Sequence, residues 1–447
     1  MSTTIGIMAM LIAIAALIYF SFKGVAFTIL CIGCTLFVAV FNNVPLWDAL
    51  GGTWVPSFAG VIQSYVLIFM ASSCYASIMD ATGATVTIGR QFVKWFGTKH
   101  ALTVCWIIVA VLNYGGISLW VVMFAAGPIM YGVLKEADLP RHFTQCCLSI
   151  GATTFTMTCL PGSTALTNVI PSEYLGTTLT AAPVLGLIAA AMMIVMIQLY
   201  LRWQEKRSRR LGEHWSFPEG YDASKYEVDE SKLPTPVNAF IPIIVLLVMV
   251  IGASFAKLSI ASNTTLLVVL AMTVAFVLCW IINGKYIDKE HTNVNKLLTG
   301  GTQSGLGAML GLACLVGFGS VVSQTEAYQQ IVHWLIGLDL SVYFKGVFST
   351  SVIAGITGSS SGGARLALSQ MGEYFINSGC NLDVLHRLIS IGAGTLDSLP
   401  HSSGYPAMFA FFGLTYKEAY RHCFWVSVII PLITVSILLI AVTALGI

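Results

Sequence analysis

The sequence predicts an all-α polytopic membrane protein built from two inverted repeats. Of its 447 residues, 56% are hydrophobic and only 9% are charged, whereas a soluble domain carries roughly 25% charged residues. Apolar runs of about 20 residues, the length that crosses a bilayer core, recur along the chain. Two polar segments with matching ends, 149–163 (SIGATTFTMTCLPGS) and 390–404 (SIGAGTLDSLPHSSG), interrupt the apolar regions. Their similarity predicts that the two halves share one plan.

Composition also excludes several classes of function. The net charge of +2 is too small to predict binding of nucleic acid. Most of the 11 cysteines lie in apolar runs, where a free thiol behaves as a small hydrophobic group, so we expect neither disulfides nor a metal site. The sequence has no H-E-x-x-H, and no G-x-S-x-G or Walker sequence in a suitable context. We therefore expect no enzyme, no catalytic residues and no cofactor.

The first half, residues 1–201, is predicted to combine continuous and interrupted helices. Continuous helices are expected at 4–22, 24–41, 58–79 and 183–201. The amphipathic segment 80–100 is expected to lie at the membrane interface. The apolar segment 101–133 has basic flanks, which tend to stay cytoplasmic, so we predict a re-entrant hairpin with its tip near 113–118. A broken helix is predicted near 158–171, because a break at membrane depth must be buried or line a cavity.

A hydrophilic linker, 202–236, joins the halves. It opens with five basic residues, namely Arg202, Lys206, Arg207, Arg209 and Arg210, which predict that the linker is cytoplasmic. The second half, 237–447, is predicted to have a hairpin tip near 358–365 and a broken helix near 397–404. Crossings counted from the linker give the halves opposite orientations and place both termini outside, which makes the repeats inverted. We expect a multi-pass protein of the inner membrane.

Four polar breaks, two at hairpin tips and two in broken helices, are expected to meet near the midplane of the bilayer. Half-helix N-termini attract anions, hydroxyl groups hydrogen-bond carboxylates or sugar-like hydroxyls, and glycine lets the backbone approach a ligand. The candidate substrate-binding residues are Asn113, Gly115, Gly116, Ser118, Gly162, Ser163, Thr164, Asn168, Ser359, Ser360, Ser361, Gly362, Gly363, Arg365, His401, Ser402 and Ser403.

The ionisable residues of the second half have alternative interpretations. Arg365 could bind a carboxylate through two parallel hydrogen bonds, or it could pair with Asp397 or Glu373, or reach the interface. Asp397 and His401 are candidates for proton coupling, because charges within the membrane are functional by default and imidazole titrates near neutrality. The alternatives are that Asp397 caps the break and that His401 bonds a backbone carbonyl.

Two stretches of the second half, 355–368 (GITGSSSGGARLAL) and 390–420 (SIGAGTLDSLPHSSGYPAMFAFFGLTYKEAY), resemble the gluconate permease family (GntP) of the ion transporter superfamily. The resemblance extends to overall length, the mid-chain loop and the helix plan, and is closest for the branch of hydroxybutyrate and related hydroxy-acid permeases. It implies a dimeric proton symporter of small hydroxylated monocarboxylates, in which a transport domain slides against a scaffold domain. It also puts 359–363 and Arg365 in the second hairpin tip, and 399–403 in the second break.

The main hypothesis is a secondary active transporter with elevator-type alternating access. It would import a small hydroxylated monocarboxylate, similar to gluconate or hydroxybutyrate, with protons as the coupling ion. The expected partners are this organic anion, the lipid bilayer and a second copy of the chain. A sodium-coupled carrier of the same fold is the alternative, and it would use oxygens at Asn113, Thr158 and Ser359 and leave His401 idle. A channel and a membrane-embedded enzyme are further alternatives.

Overall fold

The computed structural model describes residues 3–114, 119–163, 165–217, 233–255, 264–287 and 293–445. Throughout these ranges the chain forms helices and no β-strand, which confirms the all-helical prediction for them. The first half contains α1 (Thr3–Phe22), α2 (Phe27–Phe41), α3 (Val55–Ala81), α4 (Ala84–Phe96), α5 (Ala101–Tyr114), α6 (Leu119–Glu136), α7 (His142–Thr153), α8 (Phe155–Thr158), α9 (Leu166–Leu175) and α10 (Pro183–Arg210). A π-helical segment, Asp48–Trp54, runs directly into α3.

The second half contains α11 (Pro236–Phe255), α12 (Thr264–Asn283), α13 (Val294–Ser323), α14 (Glu326–Gly337), α15 (Val342–Thr357), α16 (Ser360–Asn377), α17 (Leu382–Leu396), α18 (Tyr405–Phe411), α19 (Tyr416–Phe424) and α20 (Ile430–Leu445). Polar side chains cap several of these helices, since the Ser341 hydroxyl accepts from Phe344 N–H at the start of α15 and the Asn381 amide oxygen from Val384 N–H at the start of α17. A π-helical segment, Trp425–Ile429, joins α19 to α20.

Six helical spans in the described residues are long and apolar enough to cross a membrane. They are Thr3–Phe22, Asp48–Ala81, Pro183–Arg210, Thr265–Tyr286, Val294–Ser323 and Tyr416–Leu445. Large apolar side chains point outward from these and neighbouring helices, and Ile29, Val184, Ile281 and Ile440 are each 69–71% exposed. Outward-facing apolar side chains suit contact with lipid, so the architecture is that of a polytopic membrane protein.

The long helices α3 and α13 pack closely against each other. A Cβ placed on Gly305 of α13 would lie 2.6 Å from the Phe69 carbonyl oxygen of α3, and one on Gly301 would lie 2.7 Å from Cys74 Cα. Only glycine allows the backbones to approach this closely, as expected for small residues at helix contacts within a membrane.

The two halves share a pattern of helix contacts around their matching SIGA sequences. In the first half α5 packs against α6 and α7, and in the second half α15 packs against α16 and α17. The glycine of each SIGA sequence faces the equivalent helix, α5 in the first half and α15 in the second. A Cβ on Gly151 would lie 2.5 Å from Val109 of α5, and a Cβ on Gly392 would lie 3.2 Å from the Val347 oxygen of α15.

Several boundaries differ from the sequence-based expectation. The basic residues assigned to the linker 202–236 form the last turns of α10, which continues to Arg210, because Arg, Lys and Glu favour helix. Pro171, the expected end of the first break, lies inside α9. An additional break occurs at Thr154, between α7 and α8, with φ −113° and ψ −119°. The first hairpin tip, including Gly115, Gly116 and Ser118, and the candidate Thr164 lie outside the described residues.

Candidate functional site

The second hairpin tip and the second break are joined by hydrogen bonds to one carbonyl. Gly358 ends α15 with φ +61°, a conformation that favours glycine. Its oxygen accepts from the Ser403 N–H at 3.2 Å, from the Ser403 hydroxyl at 3.3 Å and from the Ser402 hydroxyl at 3.4 Å. Two segments separated by about forty residues of sequence therefore form one unit.

The start of α16 is fixed by Ser359. Its hydroxyl accepts from the Gly362 N–H at 3.2 Å, which is the geometry of an N-cap. Gly363, which was predicted to let the backbone approach a ligand, lies against the other arm of the hairpin. A Cβ on Gly363 would lie 2.4 Å from Ala354 Cα, so this glycine lets the two arms of the hairpin, α15 and α16, pack together.

A cavity of about 200 Å³ lies where this unit meets the start of α6 and the α7–α8 region. It is lined by Leu119, Trp120, Thr153, Met157, Gly358, Ser359, Ser360, Ser361, Asp397, Ser398, Ser402, Ser403, Gly404, Tyr405 and Met408. Five of the predicted binding residues, Ser359, Ser360, Ser361, Ser402 and Ser403, are thus brought together around one small volume. The lining combines hydroxyl groups with a carboxyl group and several apolar side chains.

Asp397 contributes the ionisable carboxyl of this lining. The residue is 7% exposed, and its carboxyl faces the hydroxyls of Ser398 and Ser360. Its Oδ1 atom is buried and has no hydrogen-bond partner among the described residues. A buried polar atom with an unused acceptor site is suited to receive a proton or a ligand atom from the cavity.

His401 is buried behind the cavity and is absent from its lining. Its Nε2 atom lies 2.7 Å from the Gly355 oxygen. Because a carbonyl oxygen only accepts, Nε2 donates the proton of this bond. The contact matches the structural alternative for His401, in which the imidazole bonds a backbone carbonyl and holds the break against α15.

Arg365 also lies away from the described lining of the cavity. It is exposed on α16, one helical turn beyond Ser361, and so shares the helix face of that serine.

The first break is held by two residues that the sequence interpretation missed, His386 and Arg387 of α17. Arg387 is fully buried, and its guanidinium donates to the carbonyls of Thr158 at 3.1 Å and Ala181 at 2.9 Å. His386 lies 2.9 Å from Asn168 Oδ1 and 2.6 Å from the Thr177 hydroxyl. A buried Arg is rare, so an Arg within an apolar region can indicate a functional or structural site. Arg387 was missed because it lies in an amphipathic helix, ten residues before the polar break that begins at Asp397.

The other candidates of the first half make structural contacts. The Asn168 amide donates to the Ser163 and Leu179 carbonyls at 2.8 Å each, and is absent from the described lining of the cavity. Ser163 is buried beside it, whereas Gly162 is exposed with φ +80°. Asn113 donates to the Ala152 carbonyl at 3.3 Å and the Thr156 hydroxyl at 3.0 Å, which ties the end of α5 to the break at Thr154.

The geometry defines a class of site: a small hydroxyl-lined cavity with one buried carboxyl, formed where interrupted helices meet in a helical membrane protein. No protein-family model matches the chain. The chain is similar to a protein named uncharacterized transporter YxjC of Bacillus subtilis (strain 168), with 26% identity over 94% of this chain and 95% of that protein.

Proposed function

We propose that the protein is a secondary active transporter that imports a small hydroxylated monocarboxylate, similar to gluconate or hydroxybutyrate, by proton symport. The observation that carries this proposal is the cavity between the second hairpin tip and the second break. Irregular backbone at membrane depth is tolerated where it lines such a cavity, and transporters place their sites at discontinuous helices. The similarity to a protein named as a transporter supports the same class.

The substrate class follows from the chemistry of the lining and from the family resemblance. The serine hydroxyls can hydrogen-bond both a carboxylate and the hydroxyl groups of a hydroxy acid. The start of α16 adds backbone N–H groups, which have no partner within the helix and favour an anion. The assignment to the gluconate permease family rests on the resemblance of 355–368 and 390–420.

The proposed mechanism is elevator-type movement of two inverted repeats. The equivalent contacts of Gly151 with α5 and Gly392 with α15 support a repeated unit. In this proposal α5–α9 and α15–α18 form the transport domain. The scaffold contains α1, α2, α11 and α12, which supply the dimer interface, together with α3 and α13. The linker faces the cytoplasm of an inner membrane, and both termini lie outside.

Sodium coupling is the alternative. The contacts of the three residues suggested as sodium ligands, Asn113, Thr158 and Ser359, favour it less than proton coupling. The Asn113 amide nitrogen donates to Ala152 and Thr156, and the Thr158 hydroxyl donates to the Thr154 carbonyl at 3.0 Å. Both residues are absent from the described lining of the cavity. Ser359 uses its oxygen to cap α16. A proton needs only the carboxyl of Asp397.

The test is uptake by purified protein in liposomes. Labelled 3-hydroxybutyrate and gluconate are offered with an inward proton gradient in sodium-free buffer, and uptake above equilibrium that saturates with substrate is expected. Uptake that requires sodium would favour the alternative, and non-saturating flux that never exceeds equilibrium would indicate a channel. If neither acid is moved under any gradient, the proposed substrate class is wrong.

A further inference from the structure

The described lining of the cavity has many hydroxyl groups and few ionisable groups. Its described lining includes six serines, namely Ser359, Ser360, Ser361, Ser398, Ser402 and Ser403, but no Arg, Lys or His. The ionisable groups on the lining are the carboxyl of Asp397 and the phenol of Tyr405.

Resting on the function proposed above, we infer that the anion binds only when Asp397 is protonated, so that one proton enters with each monovalent anion and dianions are rejected. An ionised Asp397 and a bound carboxylate would place two negative charges in one small, partly buried volume without a cationic side chain. Like charges at such distances repel strongly where water is scarce. Protonation removes this repulsion and also turns Asp397 into a hydrogen-bond donor toward the ligand.

The binding geometry separates the two ends of the ligand. The carboxylate is placed at the N-terminus of α16, where the N–H groups of Ser360 and Ser361 and the Ser361 hydroxyl donate to it, while the Ser360 hydroxyl faces Asp397. The hydroxylated end faces Ser398, Ser402 and the protonated Asp397. A second carboxylate at that end would meet only hydroxyls and would find no further proton carrier, which is why a dicarboxylate is rejected.

Among the ionisable residues of the break and the surrounding helices, Asp397 and Tyr405 belong to the described lining of the cavity. Tyr405 of α18 shares the lining, Tyr420 of α19 donates to the Ser398 carbonyl at 3.0 Å, and the His401 imidazole bonds the Gly355 carbonyl of α15. The other charged and imidazole side chains of these elements are absent from the described lining of the cavity. They are Lys345 on α15, Arg365 and Glu373 on α16, Asp383, His386 and Arg387 on α17, and Lys417, Glu418, Arg421 and His422 on α19.

The test measures affinity against pH in sodium-free buffer from pH 5.5 to 8.5. The probes are 3-hydroxybutyrate and gluconate as monoanions, and succinate, compared only at pH 7 and above, as a dianion. For the unmodified protein we expect the monoanion Kd to rise tenfold per pH unit above the titration of Asp397, because binding takes up one proton, and succinate to bind at least tenfold more weakly. Asp397→Asn is expected to bind the monoanions with a Kd independent of pH.

Transport by the same variants completes the test. Asp397→Asn should lose accumulation driven by a pH gradient. Asp397→Glu should retain pH-dependent accumulation. Glu373→Gln, which changes an exposed acid on α16, is the matched control and should behave as the unmodified protein does.

The failures of the two proposals are distinguishable. If no hydroxy acid binds the unmodified protein at any pH, the proposed function fails. If the monoanions bind and are transported but their Kd is flat with pH in the unmodified protein, or Asp397→Asn still accumulates them against a gradient, only the role of Asp397 is wrong. The dependence of Kd on pH in the unmodified protein tests the inference without any variant. Misfolding of Asp397→Asn therefore cannot rescue the inference.

Discussion

At the scale of the residue, Arg365 separates what the sequence predicted from what the structure supports. The guanidinium was the sharpest candidate for a carboxylate contact, but it is exposed and absent from the described lining of the cavity. We predict that Arg365→Ala changes the Kd for 3-hydroxybutyrate by less than about threefold, corresponding to under about 0.7 kcal/mol. Ligand-dependent thermal stabilisation measures this, with Asp397→Asn as the comparison. A loss of binding in Arg365→Ala would show that the guanidinium reaches the ligand.

Gly363 provides a second residue-scale prediction. A methyl group at this position would lie 2.4 Å from Ala354 Cα, and overpacking of this kind costs about 1–3 kcal/mol. We expect Gly363→Ala to lower the melting temperature measured in detergent. Gly307→Ala is the control, because no described atom lies within 4 Å of a Cβ there and replacing helical glycine by alanine gains up to about 1 kcal/mol. Equal effects of the two substitutions would contradict the close packing of α15 and α16.

At the scale of the element, Arg387 fastens the first break to α17. Replacing it by methionine removes the donors to the buried Thr158 and Ala181 carbonyls, and each unsatisfied group costs about 1–3 kcal/mol. We therefore expect Arg387→Met to destabilise the protein substantially in a melting experiment. Arg209→Met is the control, since Arg209 is exposed and pairs with Glu205 at 3.0 Å, and such surface pairs are worth under about 1 kcal/mol.

The turn between α6 and α7 is linked to the segment after α10 by Asp138. His214 hydrogen-bonds its carboxyl at 2.7 Å and the Trp215 N–H donates to it at 3.1 Å, and these bonds lower the pKa of Asp138. A carboxyl whose pKa is lower in the folded state stabilises the protein above the unfolded pKa, and this contribution is lost as pH falls through the folded pKa.

The consequence is a pH-dependent effect of Asp138→Asn, which removes the charge and suits the positive φ of 49° at this position. The variant should melt slightly below the unmodified protein at pH 7, and the difference should shrink below pH of about 4. Melting temperatures between pH 3 and 7 measure the effect. A difference that grows with acidity would have the wrong sign for this interaction.

At the scale of the whole molecule, the sequence predicts which segments are apolar enough to lie in the bilayer. It does not predict contacts between residues that are far apart in the chain. Hydropathy locates spans such as α1 and α12 because lipid contact is a local property of a segment. It misplaces the end of α10, since helix formation continues through Arg202–Arg210 after lipid contact ends. The contact of Asn168 with His386 joins residues 218 positions apart, and no local pattern encodes it.

The proposed sliding of two domains makes a prediction for the molecule as a whole. Gly319 of α13, on the scaffold side, faces the end of α15, on the transport side, because a Cβ on Gly319 would lie 3.4 Å from the Thr357 oxygen. We predict that Gly319→Cys/Thr357→Cys, joined through two disulfide bonds by a short bifunctional methanethiosulfonate reagent, stops uptake into liposomes and that reductant restores it. Cys380, the cysteine that is partly exposed in the structure, is replaced by serine in the background.

The matched control joins two elements within the transport domain. A Cβ on Gly372 of α16 would lie 3.9 Å from Tyr174 Cβ of α9, within the range of a disulfide. Gly372→Cys/Tyr174→Cys should therefore crosslink and still transport, because α9 and α16 move together in the proposed mechanism. Transport that survives the Gly319–Thr357 link, while the reagent is shown to be bound at both sites, would mean that α13 and α15 do not separate and that alternating access has another origin. A stop by both links would place the moving boundary inside the proposed transport domain.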